Sequence, residues 1–126
     1  MIAGIGTDLV QIDRIAAALA RTPRLAQRIL RPQELAGFEA SQDQARYLAK
    51  RFAAKEAAVK ALGTGIGRGV SWQHLEIAHD ALGKPGLQLS GGAQTRALEL
   101  GISRLHLSYS DEQQLVVAFV VAEQDS

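Results

Sequence analysis

The 126-residue chain is 47% hydrophobic but only 5% aromatic, carries a formal charge of +1 and contains no cysteine. That length suits a single domain, expected over residues 1–126, with a core of Ala, Leu, Ile and Val. The near-neutral charge argues against wholesale nucleic-acid binding, the missing thiols exclude disulfides and zinc–sulfur sites, and no apolar run reaches the ~20 residues of a membrane span.

The first ten residues, MIAGIGTDLV, have neither a basic flank nor a long apolar run. They do not read as a signal peptide, and cytoplasmic residence is expected. Ile2 to Val10 reads as a buried strand, because Ile5, Thr7 and Leu9 alternate with Gly4, Gly6 and Asp8. The two glycines leave the Asp8 side bare, which suits close approach of a backbone or ligand. Asp8 is either a helix cap or a functional carboxylate, since Asp is disfavoured inside strands. Asp13 is the better cap for a helix opening at Arg14.

Arg14, Arg21, Arg24 and Arg28 follow with no acid among them. They form either a solvated basic face or a docking face for an acidic partner. The helix breaks near Thr22-Pro23, and Pro32 opens another short helix that runs to about Ala40. Asp43 then caps a long Ala-rich helix from Gln44 to Leu62, stopped by Gly63. Ala45, Leu48, Phe52, Val59 and Leu62 share one apolar face at ~100° per residue. Glu56 borders that face and Lys60 lies one turn on, so the pair reads as a surface ion pair or as part of a site.

The loop 63–69 carries four glycines and Arg68. It follows a helix and matches neither the dinucleotide nor the Walker pattern. Leu75–Ala78 and Leu87–Leu89 read as strands around turns at 80–83 and 83–86. Ser90 caps a helix from Gly92 to Leu100. Ser103–Ser110 and Leu115–Ala122 read as a hairpin turned by Asp111–Gln114. The second of these strands is almost wholly apolar, so it is expected to be central and buried on both faces. Helices and strands mix irregularly. The expected class is α+β, a mixed and largely antiparallel sheet packed on one long helix and several short ones.

The available chemistry is oxygen-based. Asp8 and Glu56 suit Mg²⁺, which takes one or two carboxylates with waters and substrate phosphates. His74 and His79 lack zinc spacing. His106, Ser108 and Asp111 crowd one strand, without the elbow a nucleophilic serine needs.

Four segments occur in order: Gly4-Ile-Gly-Thr-Asp8-Leu-Val-x-Ile-x-Arg14, Arg51-Phe-Ala-Ala-Lys-Glu56-Ala-x-x-Lys60-Ala-Leu-Gly-Thr-Gly65, Gly83-Lys-Pro and His106-Leu-Ser108. Together they resemble the holo-acyl-carrier-protein synthases, the short 4′-phosphopantetheinyl transferases. The resemblance implies transfer of 4′-phosphopantetheine from coenzyme A to a serine of apo acyl carrier protein, with release of 3′,5′-ADP, in fatty acid biosynthesis. It implies Asp8 and Glu56 as Mg²⁺ ligands and Lys60 as the cation on the phosphates. Arg51, Gly65, Lys84, Pro85 and His106 fall in its coenzyme A-binding segments. Arg14 matches a position on its carrier-docking helix, and Arg21 and Arg24 continue that surface here. The resemblance also implies a homotrimer with the site between neighbours. Some members carry His where this chain has Asp111, which puts a nucleotide contact there in doubt. Two other readings stand beside it. One is a broad-specificity transferase for peptide or polyketide carriers, disfavoured because those are longer, fused proteins. The other is a non-catalytic coenzyme A-binding module, disfavoured by the intact Asp8, Glu56 and Lys60.

Overall fold

The structure, a computed structural model, describes residues 1–125. In chain order the elements are β1 (Ile2–Gln11), α1 (Ile12–Arg21), α2 (Leu25–Ile29), α3 (Pro32–Ala40), α4 (Gln44–Ala61), β2 (Leu75–His79), β3 (Pro85–Leu89), α5 (Gly91–Glu99), β4 (Ile102–Glu112) and β5 (Leu115–Gln124). A 3₁₀ turn, Trp72–His74, precedes β2. The class is α+β with antiparallel pairing throughout, in two ladders: β1-β5-β4 and β2-β3.

The α4 helix lies along the inner face of the larger sheet and carries most of the core. Leu48, Ala49, Ala53, Ala54, Ala57, Ala58 and Val59 are all buried on it. The burial is wider than one apolar stripe, as expected of a helix enclosed on several sides. Its small side chains let it approach β1 closely. A Cβ on Gly6 would collide with the Ala57 carbonyl oxygen, and one on Gly4 with that of Ala61. The bare side of β1 is thus filled by helix backbone, and Asp8 ends up beside α4.

Asp43 caps α4 as expected, its carboxylate accepting from the Arg46 N–H at 3.1 Å. Asp13 does not cap α1. The strand runs straight into the helix at Gln11, and the Ile12 N–H is taken by the Gln114 carbonyl instead. Asp13 falls in the first turn, where a negative charge meets the positive end of the helix dipole. The β4–β5 turn is also tighter than expected. Glu112 pairs with Leu115, and Gln113 takes a positive φ of 52° to close the hairpin. Asp111 therefore belongs to β4.

β5 is central, but it is not buried on both faces. Val116, Ala118, Val120 and Ala122 point to α4 and are buried, whereas Leu115, Val117 and Phe119 remain 44%, 42% and 46% exposed. Beside them on β1, Ile5 and Leu9 are 61% and 66% exposed. Both faces of β5 are apolar because the outer one is a bare apolar surface, too continuous to be scattered surface hydrophobics.

Candidate active site

The contact of β1 with α4 brings Asp8, Glu56 and Lys60 together. Asp8 reaches the helix from the strand and accepts a hydrogen bond from Lys60 Nζ at 3.0 Å. Lys60 also donates to the Thr7 carbonyl at 2.9 Å. Lys60 therefore pairs across to the strand and not along the helix to Glu56, which corrects the i,i+4 surface-pair reading. A fixed strand carboxylate and carbonyl hold the ammonium better than a weak helix-surface pair would.

Glu56 has a different partner. The Trp72 indole N–H donates to Oε2 at 3.2 Å. Burial pushes the Glu56 carboxyl above its usual range. The indole hydrogen bond pulls it back, the charge of Asp8 pushes it further up, and Lys60 lowers it, leaving a net rise. The influence of Asp8 places the two carboxylates close enough to repel. A cation between them removes that conflict. Among the described residues no group of three His, Cys, Asp or Glu side chains gathers to hold a metal. Two hard carboxylates are the donor set that Mg²⁺ accepts when waters and substrate phosphates complete its shell, so the residues fit that ion.

A groove of about 390 Å³ runs from Asp8 past Phe52 to Arg14. Arg14, Arg21, Arg24 and Arg28 are all exposed on α1, α2 and the turn between them. Among the described residues none of the four forms an ion pair. Of the four, Arg14 lines the groove that reaches Asp8.

Arg51 points away from Glu56. Its guanidinium carbon lies 3.5 Å from the centre of the Tyr47 ring, and its Nε is buried without a hydrogen-bond partner. Burial lowers the His79 imidazole below its usual value, and the charges of Arg51 and Lys50 lower it further. His79 pairs with Pro85 in the β2–β3 ladder, which sets Pro85 and the adjoining Lys84 beside His79. The Asp80 carboxylate holds that turn, accepting from the Leu82 and Lys84 N–H groups. Gly65 follows the end of α4 at φ +63°, its surroundings open.

His106 stands apart. It lies on the outer face of β4 and bonds Glu123 at 2.9 Å, on the opposite side of the sheet from Glu56. Ser108 shares that outer face, while Asp111 points inward, so the three form no triad. Asp111 is held by Arg46 at 2.6 Å and Lys50 at 3.2 Å. Burial is the largest single influence and raises its carboxyl, but the hydrogen bonds and charges of Arg46 and Lys50 together outweigh it, and the net shift is downward. Its evident work is to tie the β4–β5 hairpin to α4.

Sequence reasoning missed three residues. Trp72 carries no motif that singles it out. Sequence reasoning gives Lys55 no role of its own, yet it is fully buried, bonding Glu34 at 2.7 Å. Glu34 reads as an ordinary N-terminal acid of α3. The one available signal was its position after Pro32, which also marks the capping geometry it adopts.

A profile described as the 4′-phosphopantetheinyl transferase superfamily matches residues 4–120. The holo-[acyl-carrier-protein] synthase of Shewanella loihica is 56% identical over 98% of each chain. Among solved structures, the holo-[acyl-carrier-protein] synthase from Neisseria meningitidis aligns with a TM-score of 0.91 at 50% identity, covering 98% of this chain and 100% of that one. That from Bacillus anthracis, in complex with coenzyme A (3′,5′-ADP), aligns with a TM-score of 0.83 at 36% identity over 99% of both chains.

Proposed function

This chain belongs to the 4′-phosphopantetheinyl transferase superfamily, as a holo-[acyl-carrier-protein] synthase, and on that premise we propose that Asp8 and Glu56 hold a Mg²⁺ ion while Lys60 meets the phosphates of coenzyme A. The enzyme transfers 4′-phosphopantetheine from coenzyme A to a serine of apo acyl carrier protein. Residues 1–126 act as one transferase domain, in the cytoplasm, and serve fatty acid biosynthesis. No helix among the described residues is long and apolar enough to cross a membrane. The observation that carries the site is the close β1–α4 contact, which sets Asp8 against Lys60 and within electrostatic reach of Glu56.

In phosphoryl transfer the protein contributes mainly position and charge. The serine oxygen bonds to the phosphorus that carries pantetheine, the bond from that phosphorus to 3′,5′-ADP breaks, and the hydroxyl proton leaves. Bound between the carboxylates, Mg²⁺ would polarise the pyrophosphate as a Lewis acid. Lys60 is half-exposed and needs only to exchange Asp8 for a phosphate oxygen. Glu56, or a water on the bound metal, would take the serine proton. Arg51 and Lys84 bring positive charge to the nucleotide phosphates, and the Gly65 loop and Pro85 turn leave room for its backbone approach.

Arg14, Arg21 and Arg24 dock the acidic carrier. Reversing Arg14 and Arg24 to Glu is expected to raise the KM for carrier protein at least tenfold, with coenzyme A binding intact, because like charges across an interface cost several kcal/mol. Steady-state rates at varied carrier and fixed coenzyme A check this, and an unchanged KM rejects the docking surface.

The enzyme assembles as a homotrimer through the outer face of the β1-β5-β4 sheet. The exposed Ile5, Leu9, Val117 and Phe119 support this, and so does His106. From the outer face His106 can serve only the site of a neighbouring copy. Phe119→Asp is expected to give a monomer by light scattering and to lose most of the activity. A trimeric, fully active variant would reject this interface.

A further inference from the structure

Trp72 is the only tryptophan in the chain, and it is tied down at both ends. Its carbonyl accepts from Lys55 Nζ at 3.3 Å. Its ring packs against Phe52 with centroids 6.1 Å apart, and Phe52 lies one turn before Glu56 on α4. Its indole N–H then donates to Glu56 Oε2 at 3.2 Å. The Ser71 side chain accepts from the Gln73 N–H at 3.1 Å and closes the 3₁₀ turn that carries the tryptophan. Lys55 is itself immobile, donating to the Ile29 carbonyl at 2.6 Å and to Glu34 at 2.7 Å.

We infer that Trp72 is a positioning residue for Glu56, anchored through its main chain by the buried Lys55–Glu34 pair. The indole fixes one carboxylate oxygen, and no hydrogen bond occupies the other among the described residues. That leaves Oε1 as the oxygen available to a cation. A glutamate on a helix has three side-chain torsions, and a single directional partner removes most of that freedom. Ligating carboxylates need such outer partners, whose loss typically costs ~10–100-fold in metal affinity. The inference rests on the reading of Glu56 as a metal ligand.

The lone tryptophan also supplies the readout, since its N–H touches the carboxylate in question. With coenzyme A present and no carrier protein, adding Mg²⁺ is expected to change the indole emission of the wild-type enzyme. The same titration of Glu56→Gln, which keeps Trp72, is expected to change nothing. Trp72→Phe keeps the ring against Phe52 and loses only the donor. It is expected to need about tenfold more Mg²⁺ for half-maximal transfer, with an unchanged KM for carrier protein and a melting temperature within a few degrees of wild type. A Trp72→Phe enzyme with the wild-type Mg²⁺ requirement overturns the inference. So does an emission change that persists in Glu56→Gln, which needs no result from the Phe variant. If the wild-type rate itself ignores Mg²⁺, the metal reading fails and this one falls with it. A wild-type rate that needs Mg²⁺ beside an indifferent Trp72→Phe rejects the positioning role alone.

Discussion

Glu56→Gln is expected to lower kcat/KM for transfer by roughly 10³-fold, since Lewis-acid stabilisation of a phosphoryl group is worth several kcal/mol and each 1.36 kcal/mol is about tenfold in rate. The same change should make the metal-free protein more stable at neutral pH. Burial, with the charge of Asp8, holds the Glu56 carboxyl above its ordinary value. A group raised in the folded state takes up its proton more readily there than in the unfolded chain. Its favourable contribution is complete at pH below the unfolded value and disappears as pH rises through the folded one. At neutral pH the fold therefore holds an ionised carboxylate in a place that disfavours it. Glutamine keeps an oxygen for the Trp72 N–H and removes the charge. The melting temperature of the metal-free variant should exceed that of wild type near neutrality and converge with it in acid. With coenzyme A already present, adding Mg²⁺ should raise the wild-type melting temperature further and leave that of the variant unchanged, because only a ligand that binds the folded state stabilises it. Calorimetry with and without the metal reads both signs. A variant that transfers normally by carrier mass removes Glu56 from the metal site.

The parts of this site that could be read from the chain are those with a local signature. Gly4 and Gly6 on alternate positions announced a bare strand face, and the structure places the α4 backbone against it. Asp43, the alanine-rich run and Gly63 marked the long helix to within a residue. The continuous apolar run of residues 115–122 marked β5 as central. Where reading failed, a long-range partner outcompeted the local one. Lys60 is one turn from Glu56, but it bonds Asp8 and Thr7 from a strand 52 and 53 residues away. A helical wheel assigned one apolar face to α4, whereas the helix is enclosed by β1, β5 and its neighbouring helices, so Lys55 is buried too. The outer face of β5 misled for a related reason. An apolar strand buried on both faces and one whose outer apolar face is left bare have the same sequence pattern. Trp72 had no signature at all, because a single indole in a loop shows nothing of where its N–H points.

Lys55→Met should be the most damaging single change outside the reaction centre, costing about 3–5 kcal/mol of stability, the range for removing one partner of a buried ion pair. The pair does more than neutralise itself. Glu34 accepts the Arg31 N–H at 2.8 Å on one oxygen and the Ile77 N–H at 3.0 Å on the other. Lys55 supplies protons to the Ile29 and Trp72 carbonyls. One ion pair thus satisfies the end of α2, the start of α3, the 3₁₀ turn and the first residues of β2. Methionine fills the space of the lysine stem but leaves the Glu34 charge buried and the Ile29 carbonyl without its lysine donor, while the Trp72 carbonyl keeps only the Leu75 N–H. The double variant with Glu34→Gln should recover only part of the loss. The amide removes the charge and still accepts one backbone N–H, but the Ile29 carbonyl stays without its lysine donor. Many buried ion pairs can be exchanged for apolar side chains at little cost. This one resists because the Arg31 and Ile77 N–H groups and the Ile29 carbonyl depend on it, each costing ~1–3 kcal/mol when buried unsatisfied. Urea midpoints for wild type, both single variants and the double variant give the coupling directly. A loss below ~1 kcal/mol for Lys55→Met would mean that water reaches these groups once the lysine is gone.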